Sequence, residues 1–468
     1  MLENLSPTRV FHFFEEIAAI PHGSGHTDAI SEYCVRFAAA HGLACEKDAL
    51  NNVLIRKPAS AGYGEHPTVI LQGHLDMVCE KTADSTHNFA TDGLKLCVQG
   101  DLLTAEDTTL GADDGIAVAM ILAILEDDTL PHPPLEALFT VDEEVGMDGA
   151  QAVDVTRLHG STLINLDSGE EGVLTVGCAG GAKVDLHLPI RTEPNTLPCW
   201  RIALSGLAGG HSGIDIHKGR QNADVLIGRL LELLPFTFRL VSVEGGYKDN
   251  VIPNACTCVI ACADDPTAFT ASYVQNTRIP TDTGLTASVA PTASAVCLDA
   301  ASTAQAVHLL TSLPSGVITM SREIRGQVQS SMNIGVVATE KDALHIVLSV
   351  RSSVAAEKQV MLEHLQAIAE DMGAAFSTHG DYPAWEYRRD SRLRETMVRV
   401  YTALYGKPPV VETVHAGLEC GLFSEKIPGF DAVSMGPDMW DIHTVNERLS
   451  VASTARTYTY VCEILKEL

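Results

Sequence analysis

The sequence predicts an α/β fold: a mostly parallel central sheet flanked by helices, interrupted by an inserted α+β domain. Three observations carry that expectation. Strand-like and helix-like segments alternate through residues 27–167, the order expected of a layered parallel sheet. Three of the runs, 68–73 (TVILQG), 135–141 (LEALFTV) and 161–167 (STLINLD), are apolar almost throughout, as strands covered on both faces must be. From residue 182 the pattern changes to apolar–polar alternation, which suits a sheet with one solvated face.

The elements follow in chain order. Residues 1–23 carry glutamates inside an apolar run and no basic start, so they read as a helix and not as a signal peptide. Residues 27–41 place Ile30, Tyr33, Cys34 and Phe37 on one helical side. Residues 52–56 are a short strand, and 115–126 (GIAVAMILAILE) are apolar all round, as a buried helix is. Beyond residue 182 come two alternating strands, a helix over 220–234, and a hairpin that turns at Glu340–Ala343. Residues 355–373 form an amphipathic helix closed by Gly373. A helix, the DAVSMG strand and a terminal helix from Ser450 complete the chain. The expected division is 1–186 and 383–468 for the split α/β domain, with 187–382 inserted.

Composition excludes several functions. With 46% hydrophobic residues in 468, the chain has enough apolar material for a core and is no disordered acidic tail. Its 60 acidic and 32 basic side chains leave a net charge of −28, which argues against nucleic acid and against anionic lipid. No apolar stretch is long enough to span a bilayer. Twelve cysteines include no C-x-x-C pair. Cys256 and Cys258 are expected on opposite faces of a strand and therefore unbonded. Free thiols in a reducing cytoplasm follow.

Chemistry concentrates at the ends of the apolar runs. His74 and Asp76 follow 68–73, two residues apart on one face. Asp113 and Asp114 precede the apolar helix; Asp142, Glu143 and Glu144 follow 135–141; Asp167 ends 161–167; His443 and Glu447 follow the DAVSMG strand. Helix capping or solvation accounts for each motif alone. Together, parallel strands would bring them to one edge of the sheet, where α/β folds place ligands. Two histidines (His74, His443) and three carboxylates (Asp113, Glu144, Asp167) suit a pair of zinc-like divalent ions. Asp76 would accept the second N–H of His74 and so orient the ring.

These motifs, with IPHGSGH, NNVLIRKPA, GGHSGIDIHKGRQNA, NVIPNA, SVRSS and VHAGLECGLF, resemble the dinuclear zinc metallopeptidases, the family of carnosinase, peptidase T, carboxypeptidase G and aminoacylase. Within it the likeness is to the aminoacyl-histidine dipeptidase branch. The resemblance implies that His74, Asp113 and Asp167 hold one metal, and that Asp113, Glu144 and His443 hold the other. It makes Glu143 the general base and the Asp113–Asp114 peptide cis. It casts the inserted domain as lid and homodimer interface, with His211 reaching the oxyanion and Arg351 binding the substrate carboxylate. Asn254 and Glu419 become substrate contacts, Glu419 to the free amine. The implied cofactors are two zinc ions, replaceable by cobalt or manganese, and the implied substrates are dipeptides of the Xaa-His and β-Ala-His type. A tripeptidase or N-acyl amino acid amidohydrolase is the alternative on the same scaffold. A non-catalytic descendant would have lost the base, and Glu143 is present. The other histidines, His187, His345 and His379 among them, lack partners at ligand spacing. Only His415, beside a Gly-rich loop, is kept as a neighbour of the site.

Overall fold

The computed structural model describes residues 2–468. The chain forms two compact units: residues up to 177 with 387–413 and 419–468, and residues 178–386 with 414–418. The boundary expected at 186/187 falls inside a continuous strand, Gly180–Pro189. The alternation read from residue 182 begins two residues into that strand, so the change of pattern, and not residue 187, marks the start of the second unit. The far boundary lies at Glu386 and not 382, and residues 414–418 return to the second unit.

The strands of the first unit are β1 (Ala44–Lys47), β2 (Val53–Lys57), β3 (Val69–His74), β4 (Leu96–Gln99), β5 (Leu102–Ala105), β6 (Leu135–Thr140), β7 (Thr162–Asn165) and β8 (Val173–Cys178), followed by Val410–Val414 and Asp431–Ser434. The main sheet has the order β1, β2, β6, β3, β7, Asp431–Ser434, β8, Val410–Val414. Its four central strands, β6 to Asp431–Ser434, are parallel. On either side, β1, β2 and β8 pair antiparallel. Every residue of β3 and β6 is buried, which explains the continuous apolar runs. Helices α1 (Thr8–Ala18) and α2 (Asp28–Ala40) start the chain, and α3 (Ala112–Glu126) packs between α1 and β3. Among the described residues, no helix is long and apolar enough to cross a membrane.

A second, four-stranded sheet joins Met439–Trp440, Arg448–Ser450, β5 and β4. Sequence reading found none of it, because its strands are only 2–4 residues long. It ties the loop 441–447 to the chain leading into α3.

The second unit is an antiparallel sheet with Gly180–Pro189, Val328–Thr339 and Ala343–Ser352 side by side. Its helices Ala223–Leu233, Ala300–Ser312 and Ala355–Met372 contribute Leu226, Leu230, Leu309 and Leu365 to one core. Gly373 ends the last helix in the left-handed conformation, φ 69°, which only glycine adopts cheaply. None of the twelve cysteines is in a disulfide. Cys256 and Cys258 are both buried in this core. They share a face because the strand period is two residues, so the expectation of opposite faces was wrong.

Asp224, in the first turn of Ala223–Leu233, is a carboxyl inside this core. Neither of its oxygens has a well-formed hydrogen bond, and the Cys256 thiol is the weak donor facing it. Burial pushes its pKa up to about 7. In the unfolded chain an aspartate titrates near ~3.9. Between those values the folded protein holds the extra proton, so stability falls as pH rises through the window and levels off above it. The Asp224→Asn protein should lose that slope and gain a few kcal/mol at pH 8. Urea melts of both proteins at pH 5 and pH 8 check it; equal slopes would refute the assignment.

Candidate metal centre

The C-terminal ends of the parallel strands converge because their register aligns them. His74 closes β3 opposite Thr140 of β6, and Gln72 faces Asn165 of β7. From these ends depart the loops bearing Glu143, Glu144 and Asp167. Asp113 and Asp114 stand at the entrance of α3, joined by a cis peptide bond, as the family resemblance implied. His443 comes from the loop between the strands Met439–Trp440 and Arg448–Ser450 and has φ 65°.

Asp113 lies between the two imidazoles. Its Oδ1 is 3.1 Å from His74 Nε2 and its Oδ2 is 3.1 Å from His443 Nε2. Glu144 Oε1 is 2.8 Å from the same His443 nitrogen. One donor atom each from His74, Asp113 and Glu144 lie within 4.8 Å of one another, and so do atoms of His74, Asp114 and Asp167. The five expected ligands are thus gathered, with Asp114 as an addition.

The protonation pattern tests whether this set fits a cation. His74 Nδ1 lies 2.9 Å from the backbone carbonyl of Asp76. A carbonyl only accepts, so Nδ1 carries the proton. In the neutral ring Nε2 is then a lone pair facing a carboxylate at 3.1 Å. Two acceptors at that distance require a second proton or a cation between them. Proton affinities record the same demand. Hydrogen bonds to Asp113 and Glu144 push His443 up to about 10. His74 rises too, although burial opposes it. Burial, and then neighbouring carboxylates, drive Asp114 and Asp167 well above the ordinary range. Burial also acts to raise Asp113, but the two imidazoles hold it below its usual value. Divalent ions would displace these protons. Two imidazoles with several carboxylates are zinc-type donors, so the residues fit.

Two carboxylates hold the ligands in place. Glu447 accepts four backbone N–H groups: Leu110 (2.8 Å), Gly111 (3.1 Å), Ala112 (2.9 Å) and Asp113 (3.3 Å). Asp76 accepts from Ser24 Oγ (2.8 Å) and from the N–H of Glu143 (3.1 Å) and Glu144 (3.3 Å). Its carboxylate stands 3.5 Å from His74 Nδ1, farther than its own backbone carbonyl. Asp76 therefore orients His74 chiefly through the main chain with its carboxylate close behind, and that carboxylate also secures the Glu143–Glu144 loop. Sequence reading gave Glu447 and Asp114 no role. Their spacing to His443 and Asp113 was the available signal.

Glu143 is half-buried, and burial, with Glu419, Glu144 and Asp113 nearby, pushes it up to about 8. Glu419 is buried; its Oε2 accepts from Gln72 Nε2 (2.5 Å) and Thr140 Oγ1 (2.8 Å), while its Oε1 has no hydrogen-bond partner. Burial lifts it to about 7.

His211, Arg351, Asn254 and His415 belong to the second unit. His211 Nδ1 accepts from the N–H of Gly213 and of Ile214, both at 3.1 Å. The ring proton therefore sits on Nε2, and burial together with Arg351 lowers the pKa, so a neutral donor is presented. Arg351 is buried, with Nη1 donating to Tyr382 Oη at 2.6 Å and Nε unpartnered. Its strand neighbour Gly181 leaves room for that tyrosine, since a Cβ there would stand 2.5 Å from the Tyr382 oxygen. Asn254 is exposed beside Gly209. His415 is buried with Nε2 2.7 Å from Ser331 Oγ, and burial, Arg351 and His211 lower it to about 3.

The Glu447→Gln protein should fold but bind divalent metal about 10–100-fold more weakly, because an amide presents one acceptor oxygen and turns an NH2 toward backbone donors. Metal titration by calorimetry checks it; unchanged affinity would show that Glu447 does not position Asp113.

The profile of the family described as Peptidase family M20/M25/M40 matches residues 70–467. The chain is similar to the cytosol non-specific dipeptidase of Escherichia coli K12, 36% identical over 479 residues and covering 100% of this chain and 99% of that protein. It is similar in structure to the aminoacylhistidine dipeptidase from Vibrio alginolyticus, with TM-score 0.94 and 34% identity over 100% of this chain and 98% of the other. The aminopeptidase PepT from Bacillus cereus shares the fold, with TM-score 0.58 and 17% identity over 99% of each chain. The chain belongs to peptidase family M20/M25/M40.

Proposed function

We propose that the protein is a cytoplasmic dipeptidase acting on dipeptides of the Xaa-His and β-Ala-His type and more broadly, with two zinc ions per chain. One observation carries the reading: the Asp113 carboxylate bridges His74 and His443, one oxygen to each. The two full-length relatives, whose names are those of dipeptidases, support the substrate class. A tripeptidase reading rests on distant relatives, the solved tripeptidase from Staphylococcus aureus being 15% identical with TM-score 0.58.

His74, Asp113 and Asp167 would hold one ion, and Asp113, Glu144 and His443 the other, with Asp114 close to the first. When bound, such a pair acidifies a water to a pKa of about 7 and polarises a carbonyl. Glu143 takes the proton of the attacking water and returns it to the leaving amine. Its proton affinity, raised toward neutrality by burial, suits a group that must accept and release. Asp76 fixes the loop on which Glu143 rides. Glu419, with one oxygen uncommitted, receives the substrate's amine. The second unit serves as lid and dimer interface. There the His211 Nε2–H donates to the developing oxyanion, Arg351 holds the substrate carboxylate, and Asn254 contributes a further contact.

The Glu143→Gln enzyme should keep its metals and lose turnover of Ala-His by about 10²–10⁴-fold. Metal content and steady-state rates on Ala-His, a tripeptide and an N-acetyl amino acid test this together. Cleavage of the acetyl compound alone would overturn the dipeptidase reading, and full activity of the variant would remove Glu143 from its role.

A further inference from the structure

The second unit gathers a separate set of histidines and carboxylates on the solvent side of its sheet. In Gly180–Pro189, Asp185 and His187 alternate with Val184, Leu186 and Leu188, which point into the core. On the neighbouring strand Ala343–Ser352, His345 pairs in register with His187. The two rings stack with centroids 4.2 Å apart and planes inclined by 11°. Glu340, from the turn that enters this strand, places Oε1 3.4 Å from His345 Nδ1. One nitrogen of each histidine and one oxygen of Glu340 lie within 4.8 Å of one another.

Asp185 decides what these atoms can do. Its Oδ1 is 2.8 Å from His345 Nε2, and its Oδ2 is 2.9 Å from His379 Nδ1. A carboxylate only accepts, so His345 carries its proton on Nε2. In the neutral ring Nδ1 is then a lone pair directed at the Glu340 carboxylate, again two acceptors with no proton between them. A carboxylate that holds the far nitrogen of an imidazole is the arrangement that orients a metal-ligating histidine. Ligands at about 2.1 Å from a tetrahedral ion stand roughly 3.4 Å apart, the spacing of Glu340 Oε1 and His345 Nδ1; the His187 ring, stacked parallel on His345, joins them by turning about its side-chain torsions.

We propose that His187, His345 and Glu340 form a further divalent-metal site, with Asp185 orienting His345 from behind. Two imidazoles and one carboxylate favour zinc, nickel, cobalt or copper over calcium or magnesium. The fourth position is left to water. The ion would clamp two adjacent strands and the turn between Val328–Thr339 and Ala343–Ser352, and so stabilise the second unit.

Equilibrium dialysis of the full chain against Co2+ tests this, compared with the H187A/H345A double variant. The wild type should bind one equivalent more than the double variant, whatever number the first unit holds. Dipeptide turnover should be the same in both. The Glu340→Gln protein, altered at a half-exposed side chain, should bind that equivalent at least tenfold more weakly even if the double variant folds poorly. A His74→Ala protein should retain the equivalent, which separates failure of this site from failure of the dinuclear centre. Co2+ should raise the Tm of the wild type by a few degrees more than that of the Glu340→Gln protein. Equal stoichiometry and affinity in the wild type and both of these variants would overturn the proposal and leave the cluster a hydrogen-bonded network.

Discussion

The structure depends on one carboxylate held between two imidazoles. Asp113 is acidic, nearly buried, and surrounded by Glu144, Asp114, Asp167 and Glu143, so folding concentrates like charge where water cannot screen it. Such repulsion is tolerable only if something positive sits among the oxygens. Protons on His74 and His443 meet the need in part. They do so in a geometry in which His74 has already given its Nδ1–H to a backbone carbonyl. The site is therefore organised around a charge larger than a proton supplies. Its position at the strand ends follows from parallel pairing, which brings the loops after β3, β6 and β7 to one edge.

That concentration of charge has to be built without distorting the sheet beneath it. The work falls to backbone N–H groups. Glu447 gathers four from residues 110–113, and Asp76 gathers those of Glu143 and Glu144. Each carboxylate fixes a loop through the main chain, leaving the loop's own side chains free for ligation or proton transfer. Gln72 and Thr140 do the same for Glu419 from two adjacent strands. The small sheet that pairs Arg448–Ser450 with β5 keeps Glu447 in reach of the α3 entrance.

Much of this was legible in the sequence, and the limits have physical causes. The buried strands and α3 announced themselves because a sheet covered on both faces leaves no polar positions. The candidates His74, Glu144, Asp167 and His443 were readable because each follows an apolar run, and Asp113 because it precedes one. Asp114 was not, because an acid at a helix entrance already has an adequate explanation in capping. The Asp76 carboxylate does stand beside His74, but its hold on the N–H groups of Glu143 and Glu144, 67 and 68 residues away, is not encoded in local spacing. The change of pattern at residue 182 lay closer to the unit boundary than 186/187 did, and Gly180 and Gly181, without side chains, hide the first two residues of the strand. His187, His345 and His379 looked isolated because their meeting is made by strand register across residues 185–379, which no local spacing encodes.

The two histidine clusters share one signature, an imidazole whose outer nitrogen is committed to an oxygen and whose inner lone pair faces a carboxylate. Solvent separates them. In the first unit His74 is 1% exposed and Asp113 13% exposed, so these groups are largely shielded from water in advance and a cation recovers a larger electrostatic energy on entering. In the second, His345 is 21% exposed and Glu340 51% exposed, so water already solvates the carboxylate and the gain on coordination is smaller. The same donors therefore imply different affinities. An ion at the buried cluster belongs to the resting protein, while one at the sheet surface exchanges with the surrounding solution and adjusts the stability of the unit that bears it.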